Sequence, residues 1–130
     1  MSNSNNVIIQ YVVFRLGINI YAVDIGFMEE VIDLDEIVEL PDVPNHVKGV
    51  TKYRASVIPI LSINQKLGLS GIEYSRSTRI IVVTYREEKI GILVDELVGI
   101  MDKTDENMQV RIHSNIQHVE LLNIDEVLRF

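Results

Sequence analysis

Three histidines, His46, His113 and His118, are the natural places to look for acid–base or metal chemistry in this sequence. His113 and His118 stand five positions apart. That spacing suits neither two zinc ligands one helical turn apart nor two on one face of a strand. Turn or surface positions account for them better. Nucleophilic catalysis needs a serine, threonine or cysteine beside a base. The chain has no cysteine, and serines such as Ser114 lie in polar, turn-like stretches without a G-x-S-x-G elbow. Asp33, Asp35, Glu36 and Glu39 crowd one segment but lack the central glycine and closing glutamate of a calcium loop, so they read as a solvated acidic face. Asp24 and Asp95 end the matching runs IYAVD and GILVD, where a carboxylate commonly caps turn amides. The glycines form neither a GxGxxG nor a P-loop. The residues therefore point to no catalytic group, no metal site and no cofactor.

What remains is docking. The stretch GVTKYRASVIPILSI, residues 49–63, sets the cation Arg54 in an otherwise apolar hairpin. Taken alone, such an arginine is a solvated turn residue. Beside Met28, Tyr53 and Val57 it supplies the charged rim of a surface with apolar anchors. The balance of 12 Lys and Arg against 19 Asp and Glu, net −7, removes the phosphate-neutralising cations on which nucleic-acid affinity rests. No basic amphipathic helix offers itself to an anionic membrane. No apolar run approaches the ~18 residues of a bilayer span. The opening MSNSNN lacks the basic end and apolar stretch of a secretory signal. A cytoplasmic protein with protein or small-molecule partners is expected, without insertion in the membrane.

The elements that must carry this hairpin are mostly strands. Val12 to Leu16 and Ile20 to Val23 flank the turn Gly17-Ile18-Asn19; Ile80 to Tyr85 and Ile90 to Val94 flank the solvated tip Arg86-Glu87-Glu88-Lys89. Val57 to Leu61 and Val119 to Leu122 add shorter strands. Asn64 to Leu67, closed by Gly68, reads as one helical turn, and Pro44 to Gly49 reads similarly. Many short strands with frequent turns predict a mostly-β barrel or sandwich. The polar segment from Ser70 to Thr78 reads as a connector between halves.

The halves repeat. IYAVD matches GILVD, and VIPILSI (57–63) matches HVELLNI (118–124), with Ile60 over Leu121, Ile63 over Ile124 and Leu67 over Leu128. Two pseudo-equivalent lobes are expected, approximately 11–69 and 79–130 in sequence halves of a single 1–130 domain, with exchange of strands between them allowed. The interval from Asp24 to Ile63 is 39 residues and that from Asp95 to Ile124 is 29. The shortfall falls on the stretch PNHVKGVTKYRA, so only the first copy is expected to own the arginine-tipped hairpin.

The blocks YVVFRLGINIYAVDIGFMEEVI (11–32), HVKGVTKYRASVIPILSINQKLGL (46–69), RIIVVTYREEKIGILVDELVGIM (79–101) and VELLNIDEVL (119–128) together resemble the CheW-like family of chemotaxis adaptors. The resemblance covers most of the chain in the right order. It implies two small SH3-like five-stranded β-barrels with a hydrophobic groove between them and no catalytic activity. It further implies two partners, a CheA-type histidine kinase and the cytoplasmic tip of a methyl-accepting chemoreceptor. The family's hairpin usually reads Gly-Val-x-Asn-Leu-Arg-Gly, and Arg54 occupies the arginine's place. Met28 and Glu30 fall near the receptor-facing surface, and Gly49, Val50, Tyr53 and Val57 complete the expected partner-binding set. Three departures stand out. Ala55 replaces the glycine after the arginine. Ser62-Ile63-Asn64 replaces the family's Asp-Leu-Arg and so removes two charges. The shortened second half puts one strand of its barrel in doubt. Two rival readings follow: a diverged member that binds one partner or pairs with itself through the shortened lobe, and a small-ligand sensor using the inter-lobe groove.

Overall fold

A computed structural model describes residues 9–102, 108–112 and 114–130; His113 and the opening MSNSNN lie outside the described residues. Ten strands and one short helix follow in order: β1 (Gln10–Leu16), β2 (Asn19–Asp24), β3 (Met28–Asp33), β4 (Val47–Tyr53), β5 (Ser56–Leu61), β6 (Arg79–Tyr85), β7 (Glu88–Val94), β8 (Glu96–Asp102), β9 (Gln109–Ile112), β10 (Asn115–Leu121) and α1 (Ile124–Val127). Single 3-10 turns lie at Ile25–Phe27 and Gln65–Leu67. The second ends as the sequence predicts, with Gly68 left-handed at φ 74°. The turn expected over Pro44 to Gly49 is different. One bond from the Val47 amide to the Pro44 carbonyl, 3.0 Å, closes a β-turn, and Val47 already begins β4.

The strands form two five-stranded sheets, β8-β1-β2-β10-β9 and β3-β6-β7-β5-β4. The orders are equivalent once β1–β5 is laid over β6–β10. Within each repeat the first two strands make a hairpin, and the other three cross to the sheet of the opposite repeat. Thus β3 pairs antiparallel with β6, and β8 with β1. Likewise β5 runs parallel to β7 with Ile60 opposite Gly91, and β10 runs parallel to β2 with Leu121 opposite Ala22. The shortfall does not remove a strand. The second repeat keeps its β9–β10 hairpin, with Ile112 opposite Asn115. The missing length lies in the link before that hairpin, 103–108 against 34–46, and in β9, four residues against seven in β4.

The double exchange explains why β1, β2, β6 and β7 are apolar on both faces. One set of alternating residues fills the core of each sheet's own lobe. Tyr53, Ile58, Ile60, Ile80, Val82 and Leu93 fill one, and Val13, Ile20, Ala22, Met108 and Val119 fill the other. The opposite set meets between the lobes: Val12, Phe14, Leu16, Tyr21 and Val23 pack with Ile81, Val83, Ile92 and Val94. Ile124, Val127 and Leu128 at α1 seal that layer. A strand buried on both faces reads as a continuous apolar run rather than an alternation. The space between lobes is thus a packed core. Phe14, Leu16, Val83 and Val94 are each no more than 1% exposed.

The paired aspartates act as turn caps. Asp24 Oδ1 accepts from the Gly26 amide at 2.8 Å, and Asp95 Oδ2 accepts from the Gly17 amide at 2.7 Å at the tip of the β1–β2 hairpin. Of the acidic segment, Asp33 pairs with Arg79 at 3.2 Å, and Asp35, Glu36 and Glu39 are exposed.

Candidate docking site

The β4–β5 hairpin closes in two residues, with Tyr53 opposite Ser56. Alternation along β4 sends Gly49, Thr51 and Tyr53 inward and Val50 and Lys52 outward. Arg54 follows at the tip with φ 56°, while Ala55 has no positive φ. The left-handed position of this turn is therefore the arginine's, a conformation that favours glycine.

In sheet order β3 and β4 are the two edges, and the candidate residues join them. Glu30 on β3 accepts from the Tyr53 hydroxyl at 2.9 Å and from Arg54 Nη2 at 2.8 Å through the same oxygen, Oε1. The guanidinium carbon stands 5.3 Å from the centre of the Tyr53 ring. These bonds, led by that from Arg54, hold the Glu30 carboxyl below its ordinary range, while desolvation followed by the Glu30 bond raises the Tyr53 phenol. Tyr53 is buried and belongs to the lobe core, but the Arg54 side chain is 71% exposed. The arginine is positioned from below and open above.

Gly49 and Val50 serve the edge in another way. The Val38 and Val50 amides and carbonyls exchange bonds of 2.8 and 2.9 Å, and Thr51 Oγ1 donates to the Glu36 carbonyl at 2.6 Å. The link after β3 therefore covers part of the free edge of β4. Gly49 has φ 144°, and a Cβ there would stand 2.3 Å from the Val38 carbonyl oxygen, so the approach requires glycine. Val57 is 62% exposed and lines, with Ile32, Val38 and Val50, a cleft rimmed by Asp35, Glu36 and Lys52. Met28 is half-buried against the inter-lobe core.

The structure thus gathers Glu30, Tyr53 and Arg54 into one cluster, sets Val50 and Val57 beside it, and gives Gly49 and Met28 supporting places. Sequence reasoning missed Ile32 and Val38 of the cleft, and Lys89, whose Nζ holds Glu29 at 2.6 Å. It also read the other hairpin tip as merely solvated, although the dipeptide Tyr-Arg occurs both at 53–54 and at 85–86. His46 is half-buried and stacks on Phe130 with ring centres 3.6 Å apart, and His118 is exposed. Among the described residues no group of three His, Cys, Asp or Glu is placed to hold a metal ion. None of their helices is long and apolar enough to cross a membrane.

Comparison with known proteins places this arrangement. The model of the CheW-like domain matches residues 10–126. The chain belongs to that family. The CheW-like chain is 28% identical over 100 residues to the chemotaxis protein CheW of Klebsiella aerogenes, an overlap of 77% of this chain and 60% of the relative. It is 30% identical over 93 residues to CheW of Helicobacter pylori, covering 72% and 56%. The protein PilI of Pseudomonas aeruginosa is 30% identical over 86 residues, covering 66% and 48%. The chain therefore spans about six-tenths of the length of the CheW relatives it matches. The crystal structure of the scaffolding protein TtCheW from Thermoanaerobacter tengcongensis superposes with a TM-score of 0.73 at 19% identity, covering 92% of this chain and 88% of the other, and fixes the fold as the two-lobed family fold.

The burial of Ser62 and Asn64 gives a departure of the CheW-like chain its physical meaning. Both are under 5% exposed where the family carries Asp and Arg. Ser62 Oγ accepts from the Asn64 amide at 3.3 Å, and Asn64 Nδ2 donates to the Ser70 carbonyl at 2.8 Å. A neutral pair here avoids the desolvation of two ions.

Proposed function

We propose that the CheW-like chain is a non-catalytic adaptor of a chemosensory system, working in the cytoplasm as one unit, that holds a methyl-accepting chemoreceptor tip and a CheA-type histidine kinase together. The observation that carries this reading is the Glu30–Tyr53–Arg54 cluster. An exposed guanidinium is fixed by one bond to Glu30, itself held by the Tyr53 hydroxyl, and by one ring, beside the exposed Val57 and a cleft lined partly by aliphatic side chains. Such a tip meets a partner with its rotamer already chosen, which lowers the entropy lost on binding. Met28, Glu30, Gly49, Val50, Tyr53, Arg54 and Val57 are the proposed docking residues, with Gly49 acting through the backbone it permits. Buried aliphatics would supply affinity and the charges specificity.

The test is co-elution and titration with the regulatory domain of the cognate CheA-type kinase and with a receptor cytoplasmic fragment. Arg54→Ala should weaken kinase binding by about tenfold or more, the worth of an interfacial arginine at ~2 kcal/mol, with the unfolding midpoint unchanged. Normal binding by that variant returns Arg54 to an ordinary turn cation. A wild type that binds neither partner at tens of micromolar, on the order of a weak encounter, overturns the adaptor reading.

A further inference from the structure

The tip of the β6–β7 hairpin repeats the construction of the Arg54 tip. Tyr85 precedes Arg86, and Arg86 is held at φ 52°. Its guanidinium carbon lies 5.2 Å from the centre of the Tyr85 ring, against 5.3 Å at Tyr53. One carboxylate oxygen, Asp125 Oδ1, accepts from the Tyr85 hydroxyl at 2.5 Å and from Arg86 Nη2 at 3.3 Å. Arg129 donates to the other oxygen of Asp125. The side chain of Arg86 is 69% exposed. Among the described residues, Arg54 and Arg86 each spend one of their five N–H donors on a carboxylate, and the rest have no protein acceptor.

The two tips share one end of the lobe. Strands β5 and β7 are parallel neighbours with Ile60 opposite Gly91, and Arg54 and Arg86 precede those residues by nearly equal lengths of chain. The tips close the adjacent hairpins β4–β5 and β7–β6, with the Tyr53 ring in the lobe core and the Tyr85 ring against the inter-lobe core, so the two arginines lean to opposite faces of the same sheet end. Met28 begins β3 at the same end, opposite Val83, and Val57 follows the first tip. At Arg86 the positive φ is that of a tight hairpin turn, with Glu87 following at 68°; what the two tips share is the three-part support of tyrosine, arginine and carboxylate.

We infer that Arg86 is a second docking and specificity-determining residue, a second prong at the lobe end that carries Arg54, and that each prong takes one carboxylate of a partner protein surface. The inference rests on the adaptor reading and names the partner chemistry of its kinase-facing site. Each prong offers its unused donors to one acid, and the exposed Val57 supplies apolar contact at the same end.

The experiment titrates the regulatory domain of the CheA-type kinase against wild type, Arg54→Gly, Arg86→Gly, Arg86→Glu and the double glycine variant. Each variant is also unfolded in denaturant. Glycine suits both positive-φ positions, so these variants keep or raise the midpoint and a loss of binding is not a loss of fold. Arg86→Gly should weaken kinase binding at least fivefold, Arg86→Glu more, the double variant more than either single one, and the wild-type affinity should fall with added salt. Kinase binding that drops in Arg54→Gly but is untouched in both Arg86 variants overturns the second prong and leaves the adaptor reading standing. Sensitivity of Arg86 variants confined to the receptor fragment overturns the assignment of the prong to the kinase. A wild type that binds no kinase removes the adaptor reading itself, and the inference with it.

Discussion

At the residue scale, the glycines separate two causes of intolerance. Gly49 and Gly68 both have positive φ, 144° and 74°. An added Cβ at Gly68 meets nothing within 4 Å, whereas at Gly49 it stands 2.3 Å from the Val38 carbonyl oxygen and 2.8 Å from Ile37 Cγ2. Gly68→Ala should therefore cost only the conformational strain, about 1 kcal/mol. Gly49→Ala adds a backbone collision that can be relieved only by parting Val38 from Val50, and should cost about 3 kcal/mol. Denaturant midpoints measure both. Equal losses would mean that the link over β4 yields freely, and the edge would then be closed by Glu30 and Tyr53 instead. The same contrast bears on the site, because Val38 and Val50 are also walls of the cleft beside Val57.

At the scale of elements, the segment after β5 shows how a sequence departure is absorbed. Restoring the family's aspartate alone, Ser62→Asp, buries a carboxylate at a position 4% exposed and should destabilise by about 3 kcal/mol. Adding Asn64→Arg returns the counter-charge, and the double mutant should recover at least about 1 kcal/mol of coupling. A neutral Ser62→Asp, or additive losses, would place the two side chains in contact with solvent rather than with each other. Elements of this kind were readable in the sequence: hairpins announced themselves by apolar runs around short polar turns, read one or two residues longer than the structure has them, and the helical turn ending at Gly68 by its stop. Arg54 stood out as a cation in an apolar hairpin, but the residues alone read it as a solvated turn residue, and only the family resemblance implied a docking role. The crossing of β3 and β8 was not readable, because strand pairing between distant segments leaves no local mark. Nor was the Pro44 turn, since the residues of a single β-turn and of a helical turn coincide until the Gly49 backbone extends. The β9–β10 hairpin was hidden for a different reason: length was removed from the link before it and from one strand, while the pairing of β9 with β10 was kept.

At the scale of the whole molecule, the exchange of three strands per repeat makes the two sequence halves mutually dependent. A polypeptide ending in the 70–78 connector contains β1–β5, yet β1 and β2 then lack β8, β9 and β10, and β3, β4 and β5 lack β6 and β7. Its hairpins would expose both faces, since Val12 and Phe14 bury toward one core and Val13 toward another. Isolated two-stranded hairpins are marginal in water. Each half expressed alone should therefore lack a cooperative unfolding transition. The two mixed in equal amounts should regain one, with a midpoint that rises with concentration as for any obligate heterodimer. Dispersed amide spectra from either half by itself would refute the exchanged topology. The dependence has a consequence for docking. The Arg54 tip belongs to the first repeat and the Arg86 tip to the second, and only the exchange brings them to one lobe end. Hence the reassembled halves should bind the kinase domain as the intact chain does, and neither half should bind it alone. Binding by the first half alone would locate the whole of the interaction on the β4–β5 hairpin and leave the two-lobed architecture without a part in it.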